Sequence, residues 1–449
     1  MMNRSSIRIM VGVVCLGMVA TLGAWLATVF FGNIGGNAAA ELDKPDDQEL
    51  VDRGAYLAVL GDCAACHTAP NGQRFAGGLP IATPIGVVYT TNITPDKTGI
   101  GRYSFGDFER AVRRGIKPDG TSLYPAMPYP SYARVSDADI QALYAYFTNG
   151  VRPVVHADKA PEIAWPFSVQ WPLTYWRWLF GPAVQSSSVT FSGDAPSDRG
   201  AYLVEGLGHC GACHTPRGLG LQERALTTRD GPQYLSGGLV DNYVANNLRG
   251  DALTGLGAWS EAEIVQFLQT GRNSRTAAFG GMSDVVVHST EFMNEEDLRA
   301  MAHFLKSLPP TGNETGFAYQ TAAASALESG NVSARGALDY VNNCAACHRS
   351  AGKGYTETFP ALAGNPVVNT ADPVSVINIV LNGGTVPSTS KAPTHFTMPA
   401  FGDRLTDQEV ADLLTFIRSS WGNNAPPVDA SRVARVRQLT HAPTTKRSQ

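Results

Sequence analysis

The chain has 449 residues, 43% of them hydrophobic and only 16% charged, with a formal net charge of −4. That length suits two to four domains of roughly 100–200 residues each. The negative charge excludes the basic face of a nucleic-acid binder, the apolar content excludes a disordered chain, and 46 glycines with 28 prolines exclude a coiled coil.

Ile9 to Phe31 form 23 uncharged, mostly apolar positions. As a helix they would span about 35 Å, more than the ~30 Å core of a bilayer. Arg4 and Arg8 precede the run, and no Lys or Arg follows before Lys44. The positive-inside rule then keeps the N-terminus cytoplasmic and exports the remainder. Residues 1–40 therefore read as a single N-terminal transmembrane helix. A cleaved signal peptide is the competing reading, because Ala38-Ala39-Ala40 resembles a small-residue cleavage site. Either way the rest of the chain faces the periplasm at the inner membrane. Cys15, within the run, reads as a buried, inert thiol.

A first module, residues 41–155, opens on Asp52-Arg53-Gly54-Ala55-Tyr56-Leu57, a short amphipathic helix leading to Cys63-Ala64-Ala65-Cys66-His67. It closes on a helix capped by Ser136 with acidic residues in its first turn and Ile140, Leu143, Tyr144 and Phe147 on one face. Residues 156–195 form an aromatic-rich linker with four of the seven tryptophans, Trp165, Trp171, Trp176 and Trp178. Burial or partner packing is one reading of this cluster, and contact with membrane headgroups is the other.

The pattern then repeats. The second module, residues 196–310, opens on Asp198-Arg199-Gly200-Ala201-Tyr202-Leu203, carries Cys210-Gly211-Ala212-Cys213-His214, and closes on a helix capped by Asn294. A linker, residues 311–330, precedes the third module, residues 331–422. That module has Ala334-Arg335-Gly336-Ala337-Leu338, then Cys344-Ala345-Ala346-Cys347-His348, and a closing helix capped by Thr406. The tail, residues 423–449, reads as solvated, with an arm wrapped round a partner as the alternative.

Six of the seven cysteines thus form three C-x-x-C-H motifs, 147 and 134 residues apart. This is the attachment signature of a c-type haem: two thiols one helical turn apart bond the porphyrin, and the next residue brings an imidazole under the iron. Zinc would pair two such motifs at close spacing, and a thioredoxin-like pair has no use for the trailing histidine. The fold class expected is all-α, with three class I cytochrome c domains in tandem after the transmembrane helix. Each domain would bind one covalent haem c, with His67, His214 and His348 as proximal iron ligands.

Methionine on the far side of the iron would close the site and raise its potential. Met127 in Tyr124-Pro125-Ala126-Met127-Pro128 and Met398 in Thr397-Met398-Pro399 lie next to proline, just upstream of a closing helix. In module two the analogous position favours Met282 over Met293, which abuts its helix, while Met301 reads as core. His209, His288 and His395 read as core or surface histidines rather than ligands.

With these residues assembled, the chain resembles the triheme cytochrome c subunits of membrane-bound, quinone-reducing dehydrogenases of acetic acid bacteria. Those serve alcohol, aldehyde, gluconate, sorbitol and fructose dehydrogenases. The resemblance covers roughly residues 48–425 and rests on Cys63-Ala64-Ala65-Cys66-His67-Thr68, Thr91-Asn92-Ile93-Thr94-Pro95, Tyr124-Pro125-Ala126-Met127-Pro128-Tyr129, Cys213-His214-Thr215-Pro216-Arg217 and Pro360-Ala361-Leu362-Ala363-Gly364-Asn365-Pro366. It implies an electron-transfer subunit that takes electrons from a separate catalytic subunit and passes them to ubiquinone. Met127, Met282 and Met398 match the family's distal ligands. The anchor-like N-terminus and short tail depart from the alcohol-type subunits and favour an aldehyde-type complex. Its catalytic chain would be a molybdopterin enzyme with an iron–sulfur partner; PQQ and flavin types are the others.

No Rossmann fingerprint, P-loop or nucleophile elbow stands out, so substrate oxidation is expected on another chain. The alternatives are a multihaem peroxidase-type enzyme with one open haem, and the cytochrome subunit of a terminal oxidase.

Overall fold

The computed structural model describes residues 17, 21, 23, 47–184 and 196–441. Module one opens with the helix Gln48–Leu60, whose first amides are capped by the Asp47 carboxylate. Val51, Gly54, Leu57, Ala58 and Leu60 are its buried stripe. They face the closing helix Asp137–Ala145, which is capped by Ser136 and continued by a widened turn, Tyr146–Gly150.

Glycine decides how closely these two helices cross. A Cβ on Gly54 would stand 1.9 Å from the Ala142 carbonyl oxygen. The same contact recurs at 2.1 Å between Gly200 and Ala300, and at 2.2 Å between Gly336 and Asp412. The backbones touch, so any side chain there would push the helices apart. The neighbouring arginine pairs with the closing helix each time: Arg53 with Asp139 at 2.6 Å, Arg199 with Asp297 at 2.7 Å, and Arg335 with Asp412 at 2.8 Å. The repeated Arg-Gly-Ala string is therefore a helix-crossing device used three times.

Modules one and two share one hydrophobic core, in which Leu57, Leu60, Ile140 and Phe147 join Leu203, Leu207, Leu298 and Phe304. Two reciprocal hydrogen bonds tie them. The Tyr56 hydroxyl donates to Asp297 Oδ2 at 2.7 Å, and the Tyr202 hydroxyl donates to Asp139 Oδ2. Each tyrosine reaches into the partner module's Arg–Asp pair. Module three has Leu338 at that position, 54% exposed, and a core of its own. It docks on module two through the helix Val374–Asn382, which packs on the segment Tyr243–Ala245: the Ser375 hydroxyl accepts from the Val244 amide at 2.7 Å, and Asn378 Nδ2 donates to the Asn242 carbonyl at 3.0 Å. The Arg272 guanidinium donates to the Ala392 carbonyl at 3.1 Å.

Two features of the expected fold class are corrected. Short strands accompany the helices. Pro80–Thr83 pairs antiparallel with Gly86–Tyr89, to which Glu162–Ile163 adds, and Gly238–Val240 pairs with Tyr243–Ala245, as Gly384–Thr385 does with Thr397–Met398. Runs such as Gly86-Val87-Val88-Tyr89 are too short and too β-branched for helix, and their backbone groups pair across tight turns. Nor is the transmembrane helix supported: among the described residues no helix is long and apolar enough to cross a membrane. Described helices such as Gln48–Leu60 and Asp407–Ser419 have 13 residues, about 20 Å against the ~30 Å needed. The Ile9–Phe31 run itself lies, apart from residues 17, 21 and 23, outside the described residues.

The segment read as a second linker is packed. Tyr319 donates to the Ala351 carbonyl at 3.0 Å, and Ala322–Glu328 is helical with Ala324 and Leu327 in the third core. The tail folds back as the helix Ala430–His441, burying Val433 and Val436 and pairing Arg432 with Asp372 and Arg437 with Asp407. Arg432 and Arg437 thus answer acids of their own module.

Candidate haem sites

Each C-x-x-C-H string forms one short helical turn at the end of an opening helix: Cys63–His67, Gly211–His214 and Ala345–His348. In the first two modules the chain turns sharply just before it, through left-handed residues at equivalent positions, Asp62 (φ 49°) and His209 (φ 37°). Helical backbone puts the two thiols of each pair on adjacent turns of one face. All six are free.

The three motif histidines share one geometry. Nδ1 of His67 lies 2.7 Å from the Thr91 carbonyl oxygen, that of His214 2.7 Å from Asn246, and that of His348 2.9 Å from Pro360. A ring held by its Nδ1–H presents Nε2 as the lone pair for a metal. Burial lowers the pKa of all three, which keeps the imidazoles neutral as iron ligation requires. Burial also pushes the Cys63, Cys210 and Cys344 thiols up to about 12, and Cys66 and Cys213 up to about 11. Among the described residues no group of three or more His, Cys, Asp or Glu converges on a metal position. Tyr129 Oη, Arg134 Nε and Arg272 Nη1 are buried donors without a protein partner. Acidic substituents such as haem propionates would satisfy donors of this kind. The residues fit covalent haem.

Met127 sits in a tight turn, partly buried against the shared core, with its amide donating to Tyr124 O at 3.2 Å. Met398 lies on the strand Thr397–Met398, paired with Gly384, and is partly buried against the third core. Met282 occupies the first turn of the helix Gly281–His288, partly buried against the shared core. Met293 and Met301 are core residues at 7% and 3% exposure. His288 and His395 are exposed, whereas His209 is half-buried, its ring edge-on to Tyr132 at 5.7 Å.

Sequence reasoning missed how close the first two motifs come. The helix of Met282 packs against the Cys63–His67 turn, and the Cys66 thiol feels the charges of Asp62, Cys213 and Asp284. Burial, with Asp284 adding, raises the Asp62 carboxyl to about 8. Tyr132 of module one donates to the Gly61 carbonyl at 2.9 Å, and His209 of module two hydrogen-bonds the same peptide. The repeated Asp-Arg-Gly-Ala-Tyr-Leu was the available signal. A tyrosine kept in two copies and replaced by leucine in the third marks the two modules that pair.

The cytochrome c family profile matches residues 197–309 and 333–421. The chain is 50% identical to the cytochrome c subunit of the quinone alcohol dehydrogenase of Gluconacetobacter polyoxogenes, over 95% of this chain and 92% of that one. It is 53% identical to the gluconate 2-dehydrogenase cytochrome c subunit of Pantoea cypripedii, over 89% and 92%. With the fructose dehydrogenase cytochrome subunit of Gluconobacter japonicus it shares 35% identity over 86% and 82%. Identity of this extent, with the histidine and cysteine geometry above, makes the chain a member of the haem c-bearing cytochrome c subunit family of quinone-linked dehydrogenases.

Proposed function

We propose that the protein is the triheme electron-relay subunit of a dehydrogenase complex at the periplasmic face of the inner membrane, carrying electrons from a catalytic chain to ubiquinone. The observation that carries the reading is the packing order. Module two touches module one through the shared core and the paired C-x-x-C-H motifs, and module three through the helix Val374–Asn382 and the Arg272–Ala392 contact. Module two is therefore the step between the other two.

Haem c, when bound in each module, supplies a one-electron carrier. Cys63 and Cys66, Cys210 and Cys213, and Cys344 and Cys347 would hold it covalently, and His67, His214 and His348 would offer Nε2 to the iron. Met127, Met282 and Met398 would offer thioether ligands to the iron, which would raise its potential and close the site to small oxidants. The substrate is oxidised on a separate chain of alcohol or aldehyde type, with PQQ, flavin, or molybdopterin plus an iron–sulfur subunit as its redox group. The relatives, subunits of alcohol, gluconate and fructose dehydrogenases, support that division of labour.

Three haems per chain, none of them reacting with carbon monoxide after reduction, is the expected result of haem quantitation and difference spectroscopy. One haem that binds carbon monoxide would favour the peroxidase-type alternative. Replacing Met127 by Ala should lower one of three potentials in a redox titration and leave two in place. Three unchanged potentials would remove Met127 from the ligand set.

A further inference from the structure

The linker helix Trp171–Phe180 has no buried residue. It is nevertheless held in place: Trp176 Nε1 donates to the Gly220 carbonyl at 2.6 Å, its ring meets Tyr129 edge-on at 6.3 Å, and the Thr174 and Ser122 hydroxyls lie 3.2 Å apart. The anchored side leaves the large apolar groups outward. Trp178 is 79% exposed, Leu179 65%, Trp171 61%, and just upstream Trp165 is 81% and Phe167 59% exposed. The loop that grips Trp176 adds a fully exposed Leu219. Two segments about forty residues apart thus contribute to one apolar face.

Charge around the face is basic in balance, the exposed Glu162 at its edge being paired with Lys159 at 2.8 Å. From Ile163 to Val184 the only charged residue is Arg177, which lies close enough to Arg114 to feel its charge. On the other segment Arg217 donates to Leu221 O at 3.3 Å, and Arg224 donates to Arg217 O at 3.2 Å; both arginines are exposed. The acid among them, Glu223, is buried beneath Arg217 with a side chain 5% exposed. Tryptophans ringed by arginine match the interface of an anionic bilayer: indoles settle at headgroup depth and guanidinium groups meet lipid phosphates.

We infer that the helix Trp171–Phe180 and the Gly220 loop form a docking face that seats the protein on an anionic lipid surface without crossing it. This deepens the proposed function, taking from it only that the electron acceptor resides in the bilayer. The face lies beside the turn that carries Met127, because Tyr129 packs on Trp176, so docking brings module one to the membrane.

The test uses the full-length, haem-loaded chain in its dehydrogenase complex. With p-benzoylphenylalanine in place of Trp178, irradiation on phosphatidylcholine–phosphatidylglycerol vesicles should give a lipid adduct, and the same probe in place of Leu338 should give none. An adduct to the dehydrogenase chain, or no lipid adduct at Trp178, overturns the inference. The combined Trp165→Ser, Trp171→Ser, Trp178→Ser and Leu179→Ser variant should partition onto these vesicles about tenfold less with an unchanged Soret spectrum. Undiminished partitioning also overturns it. Reduction of a water-soluble quinone should persist in that variant while reduction of a bilayer-embedded one falls. Loss of both would indict the relay rather than the docking face.

Discussion

Removing the two reciprocal tyrosine hydroxyls tests whether modules one and two are held as one unit. Asp297 accepts from Arg199 Nε at 2.7 Å, from Arg199 Nη2 at 2.9 Å and from the Tyr56 hydroxyl at 2.7 Å. Asp139 accepts from Arg53 Nε at 3.0 Å, from Arg53 Nη2 at 2.6 Å, and from the Tyr202 hydroxyl. Tyr56→Phe removes the charge-assisted hydrogen bond to Asp297, together with the one its hydroxyl accepts from the Asn294 amide at 3.1 Å, and leaves the carboxylate paired with its arginine, so no buried charge is orphaned. Such bonds are worth about 1.5–3 kcal/mol, and the retained arginine points to the lower end. Because the hydroxyls serve different carboxylates, the two losses should add to about 3 kcal/mol. For a cooperative unit of roughly 250 residues this is about 3 °C per substitution and about 6 °C for the double variant. Scanning calorimetry of the haem-loaded protein should show the shift in the transition of modules one and two, with that of module three unmoved. A shift no larger than that of Tyr355→Phe, an exposed ring, would refute the reasoning. So would an equal shift of both transitions.

Arg418 is fully buried in module three and donates to the carbonyls of Val368, Thr370 and Pro426, each at 2.9 Å. Arg418→Met should leave those acceptors unpaired and destabilise that module by about 3–5 kcal/mol, seen as a lower midpoint of its denaturant transition alone. Glu223 is lifted from its ordinary 4.5 to about 7 because burial outweighs Arg217, 3.7 Å away. Between those values the native state keeps a proton that the unfolded chain has lost, so stability falls as pH rises from 4.5 to 7 and then levels off. Glu223→Gln should flatten that part of a stability–pH profile, and an unchanged slope would remove Glu223 as its source.

Local chemistry was legible where it needed no neighbour. The closing helices begin at Ser136, Asn294 and Thr406, each accepting an amide from the third residue of its helix. Caps are set by a side chain and the next few residues, so the sequence displays them. The strands escaped notice because they are two to four residues long and owe their form to a partner across a turn. The tail looked solvated because Val433 and Val436 are few among its basic residues, yet Asp372 and Asp407 of the folded module answer the arginines.

The sequence by itself determined that there are three C-x-x-C-H motifs, each behind an Arg-Gly-Ala helix start, because thiol spacing and glycine at a helix crossing are short-range demands. Only the tertiary structure decided how the repeats combine. Tyr56 and Tyr202 cross into each other's Arg–Asp pairs while Leu338 stands exposed, so two modules merge into one core and the third docks by its helix Val374–Asn382. That outcome depends on side chains roughly sixty to two hundred and forty residues apart meeting at hydrogen-bond distance, a coincidence in space that no local pattern encodes.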